Sequence, residues 1–333
     1  MQEEVIPVIK LAQKATLGST TELAVNSAHG VAFHRGLGNP LHPTSSTPIS
    51  KYLQEDYLAE YSKTAYAKSN FAVVANGASH ADLSKWVGEF FTESSPSSSI
   101  SIPPIDNSPS KYYGGEERIA HDSGNSMILA FPGSASFTGG SYKPEMSVLA
   151  ALLGGESTIK WSPGFSLLSK ATAAHPGAHI TTVHSSYSDA GLLYISLTGN
   201  ARDIRNASQE VVKILKSVAA GSISKEDIKK AVASAKFKTL ESGQSVGTGL
   251  ELTGAGLVQG GKAFQLDEVS KKIDGVTEDQ VKMVSDSVSP TISSLANDNF
   301  AQAAKSLLNS KATVSTVGDL YVLPFAEELG LNV

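Results

Sequence analysis

Histidine is the side chain most ready to do chemistry near neutral pH, and the sequence holds eight. His34 and His42 bracket the glycine loop in "HRGLGNPLHP", residues 34–43. Three chemistries compete for this stretch: a metal clamp, a phosphate cradle, or the end of a helix. Metal pairs usually stand one helical turn apart or bracket a strand, with a carboxylate nearby. These two histidines are separated by Gly36, Gly38 and Pro40, and no Asp or Glu occurs between Glu22 and Glu55. The phosphate-loop order G-x-x-x-x-G-K-[ST] is absent from this stretch. The reading that survives is a helix C-terminus followed by a turn.

The other histidines pair no better. His175, His179 and His184 cluster in "HPGAHITTVH", but Pro176 and Gly177 interrupt the first pair. His179 and His184 differ by an odd number, so on a strand they face opposite sides. His29 and His34 on one helix stand about 140° apart around its axis. Neither HxxEH nor HExxH occurs in the sequence, so the helical zinc-hydrolase arrangement cannot be built from it. "GLVQGGKA", residues 256–263, fits the phosphate-loop spacing until Ala263, where a magnesium-binding hydroxyl belongs. It also follows a helical pattern instead of a strand, and reads as a glycine-marked helix end. The catalytic, cofactor-binding and metal assignments from the residues are therefore none.

The elements that must position these residues follow from periodicity. Residues 17–35 read as a helix, capped at Ser19 or Thr20, with Leu23, Ala24, Ser27, Ala28 and Val31 on one face and Gly36 at its end. A second helix starts near Thr47-Pro48. "FAVVA" (71–75) reads as a short strand and residues 81–91 as an amphipathic helix. Residues 92–115 are rich in serine and proline and bury little, which makes them a linker. Beyond it come strands at "ERIAHDS" and "SMILAFPG", a helix at "KPEMSVLAALLG", and a strand pair turning at Asp189-Ala190-Gly191. Helical periodicity then fills residues 203–308, capped internally at Ser224. A final strand at 312–318 precedes a helix from Leu320 to Leu329. Tight turns between neighbouring strands favour an α+β fold with a mostly antiparallel sheet packed with helices.

Bulk composition sets the outer bounds. The 333 residues are 41% hydrophobic and 18% charged, with a formal net charge of −5. That balance lacks the basic stripe of a nucleic-acid surface, and the length suits two domains. No apolar run approaches the ~20 residues of a membrane span, so membrane association is expected only through partners. With no cysteine, disulfides and thiolate chemistry are excluded. A faint internal correspondence links a helix–strand–helix unit at residues 48–91 with another at the C-terminal end, which suggests a duplicated domain whose first copy lacks its beginning.

Four stretches carry a resemblance: "AHGVAFHRGLGNPLHP" (28–43), "FAVVANGASHADL" (71–83), "GGESTIKWSPGFSLLSKA" (154–171) and "HSSYSDAGLLYISLTG" (184–199). Through them nearly the whole chain resembles the pitrilysin-like processing-peptidase family. "IKWSPGFS" is similar to the non-catalytic branch that forms the core of mitochondrial ubiquinol–cytochrome c reductase, respiratory complex III. The resemblance implies two homologous processing-peptidase-like domains: residues 1–92 as the C-terminal part of the first, 93–115 as linker, and 116–333 as the second. It also implies that the first domain lacks its N-terminal half. In active members an acidic distal zinc ligand would fall within residues 10–16, which contain no acid. Their glycine-rich substrate loop corresponds to Gly154, Gly155, Trp161, Pro163 and Gly164. This version is sparser in glycine, which argues against peptide handling through it and leaves those residues a structural loop.

The implied role is a silent structural subunit, peripheral on the matrix side of the mitochondrial inner membrane. It would hold no cofactor itself, haems and iron–sulfur cluster being in partner subunits. The implied partners are core protein 1, cytochrome b, the c-type cytochrome subunit, the Rieske iron–sulfur protein and the small subunits, in a dimeric complex without nucleic acid. The alternative is a presequence-binding subunit of a mitochondrial processing metallopeptidase. A half-missing domain would leave apolar helix faces uncovered, so the isolated chain is expected to be poorly soluble.

Overall fold

The computed structural model describes residues 4–40, 55–66, 72–90, 108–155, 164–220, 223–276 and 310–333. Two helices open the chain, α1 (Val5–Gly18) and α2 (Thr20–Phe33). Ser19 caps α2 as expected, its hydroxyl accepting the Glu22 N–H at 3.3 Å. Leu23, Ala24, Ser27 and Ala28 are buried, and Ala32 and Phe33 extend that face, while Val31 is only half-buried. The helix stops earlier than its pattern suggests. His34 turns to φ 59°, rare for a side-chain-bearing residue, and Gly36 takes the same φ at the head of a 3-10 turn, Gly36–Gly38. The His34 ring stacks on Tyr113, centroids 4.1 Å apart.

Helices α3 (Glu55–Ala65) and α4 (His80–Phe90) follow. The expected strand at 71–75 is not formed: residues 72–75 join no ladder. Alternating β-branched residues become a strand only against a neighbour, and no neighbouring strand stands there among the described residues.

Five strands build one mixed sheet: β1 (Gly115–Ala120), β2 (Asn125–Pro132), β3 (Ala178–Ser186), β4 (Gly191–Gly199) and β5 (Thr313–Gly318). Their spatial order is β1-β5-β2-β4-β3. Only β1 and β5 run parallel; the other three pairings are antiparallel, in line with the expected architecture. Residues 127–131 of β2 are buried on both faces, as a central strand requires. The β3–β4 turn falls where expected, Tyr187 donating to the Ala190 carbonyl at 2.8 Å.

Each face of the sheet is covered differently. α5 (Pro144–Leu153) and α7 (Ala201–Ala219) lie on one face, and α8 (Lys225–Ser242) and α10 (Leu266–Asp274) pack against α5. Ser224 caps α8 as expected, accepting the Asp227 N–H at 3.1 Å. The short α6 (Leu167–Thr172) and α9 (Val246–Gly260) complete the set. On the other face α2 packs against β1, β2 and β5, and its apolar stripe joins Ile128, Ala130, Leu192 and Val317 in a second core. The helix read at residues 17–35 thus closes the sheet built from residues 115–318.

The tail of the expected linker is strapped to both. Tyr113 N–H donates to Ala32 O (2.8 Å), and the Tyr112 hydroxyl lies 2.9 Å from Thr313 Oγ1. Residues 93–107 of that linker lie outside the described residues. The expected helix at Leu320–Leu329 is instead a turn followed by a 3-10 turn, Glu327–Leu329. The Arg118 guanidinium takes the carbonyls of Leu320, Leu323 and Pro324 at 2.7–3.0 Å, groups an α-helix would need for its own ladder. The helical half of the C-terminal repeat at 277–309 lies outside the described residues, so the expected duplication is represented only by α3, α4 and β5.

Candidate functional site

The stretch expected to correspond to a substrate loop is described up to Gly154–Gly155 and again from Gly164. Trp161 and Pro163 lie outside the described residues. Gly154 ends α5 with φ 60°, and a Cβ there would meet the Ser166 side chain at 2.3 Å. A Cβ on Gly155 would fall 2.4 Å from the Ile180 carbonyl oxygen, so the loop's departure demands glycine twice in succession. Ser166 holds the return. Its hydroxyl accepts the Gly155 N–H and donates to the Gly155 carbonyl, both at 3.1 Å, and it accepts the Ser169 N–H at the start of α6. The neck is a hydrogen-bonded clasp between the end of α5 and the start of α6.

Beside the neck lies an open groove of about 660 Å³. Leu152, Leu167 and Ala231 supply apolar wall, Thr181 and Thr182 of β3 its side, and Lys230 and Lys238 of α8 its rim. Lys230 is tied to Glu226 at 2.7 Å, which raises its pKa through that hydrogen bond and charge. Among the described residues that line the groove there is no histidine and no carboxylate pair; Asp227 is the one acid among them and accepts the Ser224 hydroxyl at 2.7 Å.

Four of the described histidines, His29, His34, His121 and His184, are engaged elsewhere. His29 donates from Nδ1 to the Val25 carbonyl (2.8 Å), leaving Nε2 to accept the Tyr187 hydroxyl (2.7 Å). His121 donates to the Leu17 carbonyl at 2.9 Å. His184 is half-buried and accepts the Ser134 N–H on Nε2 at 3.0 Å; desolvation of its ring pushes its pKa down to about 4, so it stays neutral. His179 is exposed on β3, and His34 is stacked on Tyr113; His42 lies outside the described residues. Among the described residues no three or more His, Cys, Asp or Glu side chains converge as metal ligands. Residues 10–16, where an acidic ligand would be required, lie on α1 with lysines at 10 and 14 and no acid. Those residues do not fit a zinc site.

The second near-motif resolves as a packing device. Gly261 closes α9 in the left-handed conformation (φ 64°), donating to the Leu257 carbonyl at 3.0 Å. Gly260 lets Thr138 approach, since a Cβ there would lie 2.5 Å from the Thr138 carbonyl oxygen. Lys262 pairs with Glu268 at 2.5 Å. Periodicity misses two structural residues, Arg118 and Ser166, because their partners are backbone carbonyls and amides remote from them or without side-chain signature.

Similarity to known proteins agrees with this geometry. The peptidase M16 inactive domain matches residues 52–235. The chain is 48% identical over 311 residues to subunit 2 of the mitochondrial cytochrome b-c1 complex of Neurospora crassa, covering 93% of this chain and 63% of that protein. It is 31% identical over 338 residues to the Cryptococcus neoformans subunit 2, covering 99% and 69%. The chain thus spans between three-fifths and seven-tenths of the length of these relatives. In structure it matches a chain of complex III2 from Candida albicans bound to Inz-5 with a TM-score of 0.72 and 16% identity, over 97% of this chain and 73% of that one. That match speaks for the fold. The chain belongs to the family of the peptidase M16 inactive domain and, within it, groups with the proteins named cytochrome b-c1 complex subunit 2.

Proposed function

We propose that the chain acts as the non-catalytic core subunit 2 of mitochondrial complex III, supporting its assembly and stability from the matrix side. The observation that carries this reading is the 48% identity with the Neurospora subunit 2, sustained over 93% of the chain. The site chemistry supports it. The groove offers a lysine rim and hydroxyls, but no nucleophile–base pair, and the glycine neck is consumed in closing a loop. Gly154, Gly155 and Gly164, with Trp161 and Pro163 between them, serve a structural role, and the subunit holds no cofactor of its own. Its neighbours are core protein 1, cytochrome b, the c-type cytochrome, the Rieske protein and small subunits. Attachment to the membrane is peripheral; no helix among the described residues is long and apolar enough to cross one. Residues 1–92 and 116–333 belong to two homologous domains, with α2 reaching from the first onto the sheet of the second.

The test is to tag the endogenous protein, solubilise mitochondria in mild detergent and record the visible spectrum of the isolated particle. Stoichiometric b- and c-type haem bands are expected. A haem-free particle containing an HxxEH subunit would overturn the reading in favour of presequence processing.

A further inference from the structure

A phosphoryl group on serine replaces a hydroxyl donor with up to two negative charges and acceptor oxygens, so its effect depends on what faces it. Ser110 turns both of its donors to one carboxylate: its N–H donates to Asp189 Oδ2 at 2.7 Å and its hydroxyl to Oδ1 at 3.3 Å. Asp189 is held in place. It stands in the β3–β4 turn, closed by the Tyr187–Ala190 bond, and its own carbonyl accepts the Ser141 hydroxyl at 3.3 Å. Ser110 is the looser partner, within residues 108–114, which form neither helix nor strand. Ser108, Pro109 and Lys111 are exposed and Ser110 is half-buried. The next anchors along the chain are the Tyr112 hydroxyl on Thr313 and the Tyr113 N–H on Ala32.

Other serines that bond carboxylates are placed differently. Ser27 is buried on α2, where its hydroxyl meets Glu117. Ser224 opens α8, where the positive end of the helix would take up a phosphate's charge. Ser110 belongs to no helix. The adjacent Lys111 ammonium lies over the Tyr113 ring, 5.2 Å from its centre. Of the two contacts to Asp189 the hydroxyl's is the longer, so it opens first and offers a phosphotransferase an acceptor on irregular chain.

We propose that Ser110 is a phosphorylation site and that its phosphate unlatches the segment leading into β1. The γ-phosphoryl group of a nucleoside triphosphate passes to Ser110 Oγ, the nucleoside diphosphate leaves, and the hydroxyl proton is released to solvent. The product sets a phosphate against the Asp189 carboxylate, both negative, and the looser partner moves away. Residues 108–111 come free, which adds about 13 Å of extended chain to the connection between α4 and β1. The latch lies wholly within this chain, so it operates in whatever particle the chain joins.

Mass spectrometry of the endogenous chain, purified in its particle with phosphatase inhibitors, should find phosphate on Ser110. Hydrogen exchange on the same material should show residues 108–111 opening about 10-fold faster before phosphatase treatment than after it. Absence of phosphate from Ser110 would overturn the assignment, as would a phosphate confined to Ser108. Exchange that phosphatase leaves unchanged would overturn the unlatching. Ser110→Glu should loosen the segment as the phosphate does, and adding Asp189→Lys to it should restore protection. Ser110→Ala keeps the amide bond to Asp189 and should stay as protected as the unmodified chain. Loosening in Ser110→Ala equal to that in Ser110→Glu would trace the effect to the lost hydroxyl and not to added charge, and would overturn the mechanism.

Discussion

His184 is neutral because its ring is shielded from water, and that neutral ring is what accepts the Ser134 amide. Its folded pKa, about 4, lies below the unfolded value near 6.5, so the unfolded chain binds the proton more readily. The contribution is complete above pH 6.5 and is lost as pH falls towards 4. Between pH 7 and pH 5 denaturant titrations should show about 2 kcal/mol of stability disappearing. His184→Gln, which can still accept the amide without titrating, should flatten that slope. Backbone clearance makes a second residue-level contrast. Gly155→Ala drives a methyl into the Ile180 carbonyl and should cost about 2 kcal/mol, whereas Gly140→Ala meets open space and should stay within about 0.5 kcal/mol by the same titration.

Among the elements, the C-terminal segment depends most on a single side chain. Arg118 gathers three carbonyls, and its guanidinium lies 3.9 Å from the Phe325 ring centre. Arg118→Ala should cost about 3 kcal/mol and accelerate hydrogen exchange across residues 320–326, and Arg118→Lys should not restore it, since one ammonium cannot reach all three acceptors. This contact also explains why the helix read at 320–329 is absent: "YVLPFAEELG" has helical spacing, but its carbonyls are claimed by a residue some two hundred positions earlier. Local signals elsewhere were sufficient. Ser19 and Ser224 announce their helices through a hydroxyl and a free amide in the next turn, and the β3–β4 hairpin is written in its turn residues. "FAVVA" had the composition of a strand but no neighbour to pair with.

Across the whole molecule, burial is uneven. Leu83, Trp86, Val87 and Phe90 recur at helical spacing along α4, yet Trp86 is 54% and Phe90 71% exposed, their rings stacked on each other. On α1, Val8 and Leu11 are similarly uncovered. The isolated chain should therefore self-associate with rising concentration in sedimentation experiments, and Trp86→Glu with Phe90→Lys should reduce that association. The α+β class was legible in the sequence. That α2 closes a sheet formed from residues 115–318 was not, because an apolar helix face records that it is covered and not by what. The groove was equally hidden, since it is assembled from α5, α8 and β3, whose mutual placement no local pattern encodes.

The strand order also governs when this protein can fold. Among the described residues β5 is the last strand, yet it lies between β1 and β2 and is the only link between β1 and the remaining strands. Until residues 313–318 arrive, β1 has no partner and β2 shows an open edge. A chain emerging N-terminus first must hold β1 unpaired and one edge of β2 open throughout that interval, the long-range closure that slows folding and invites aggregation. Completion of this sheet waits on residues 313–318, and whatever holds the chain open until then sets its yield.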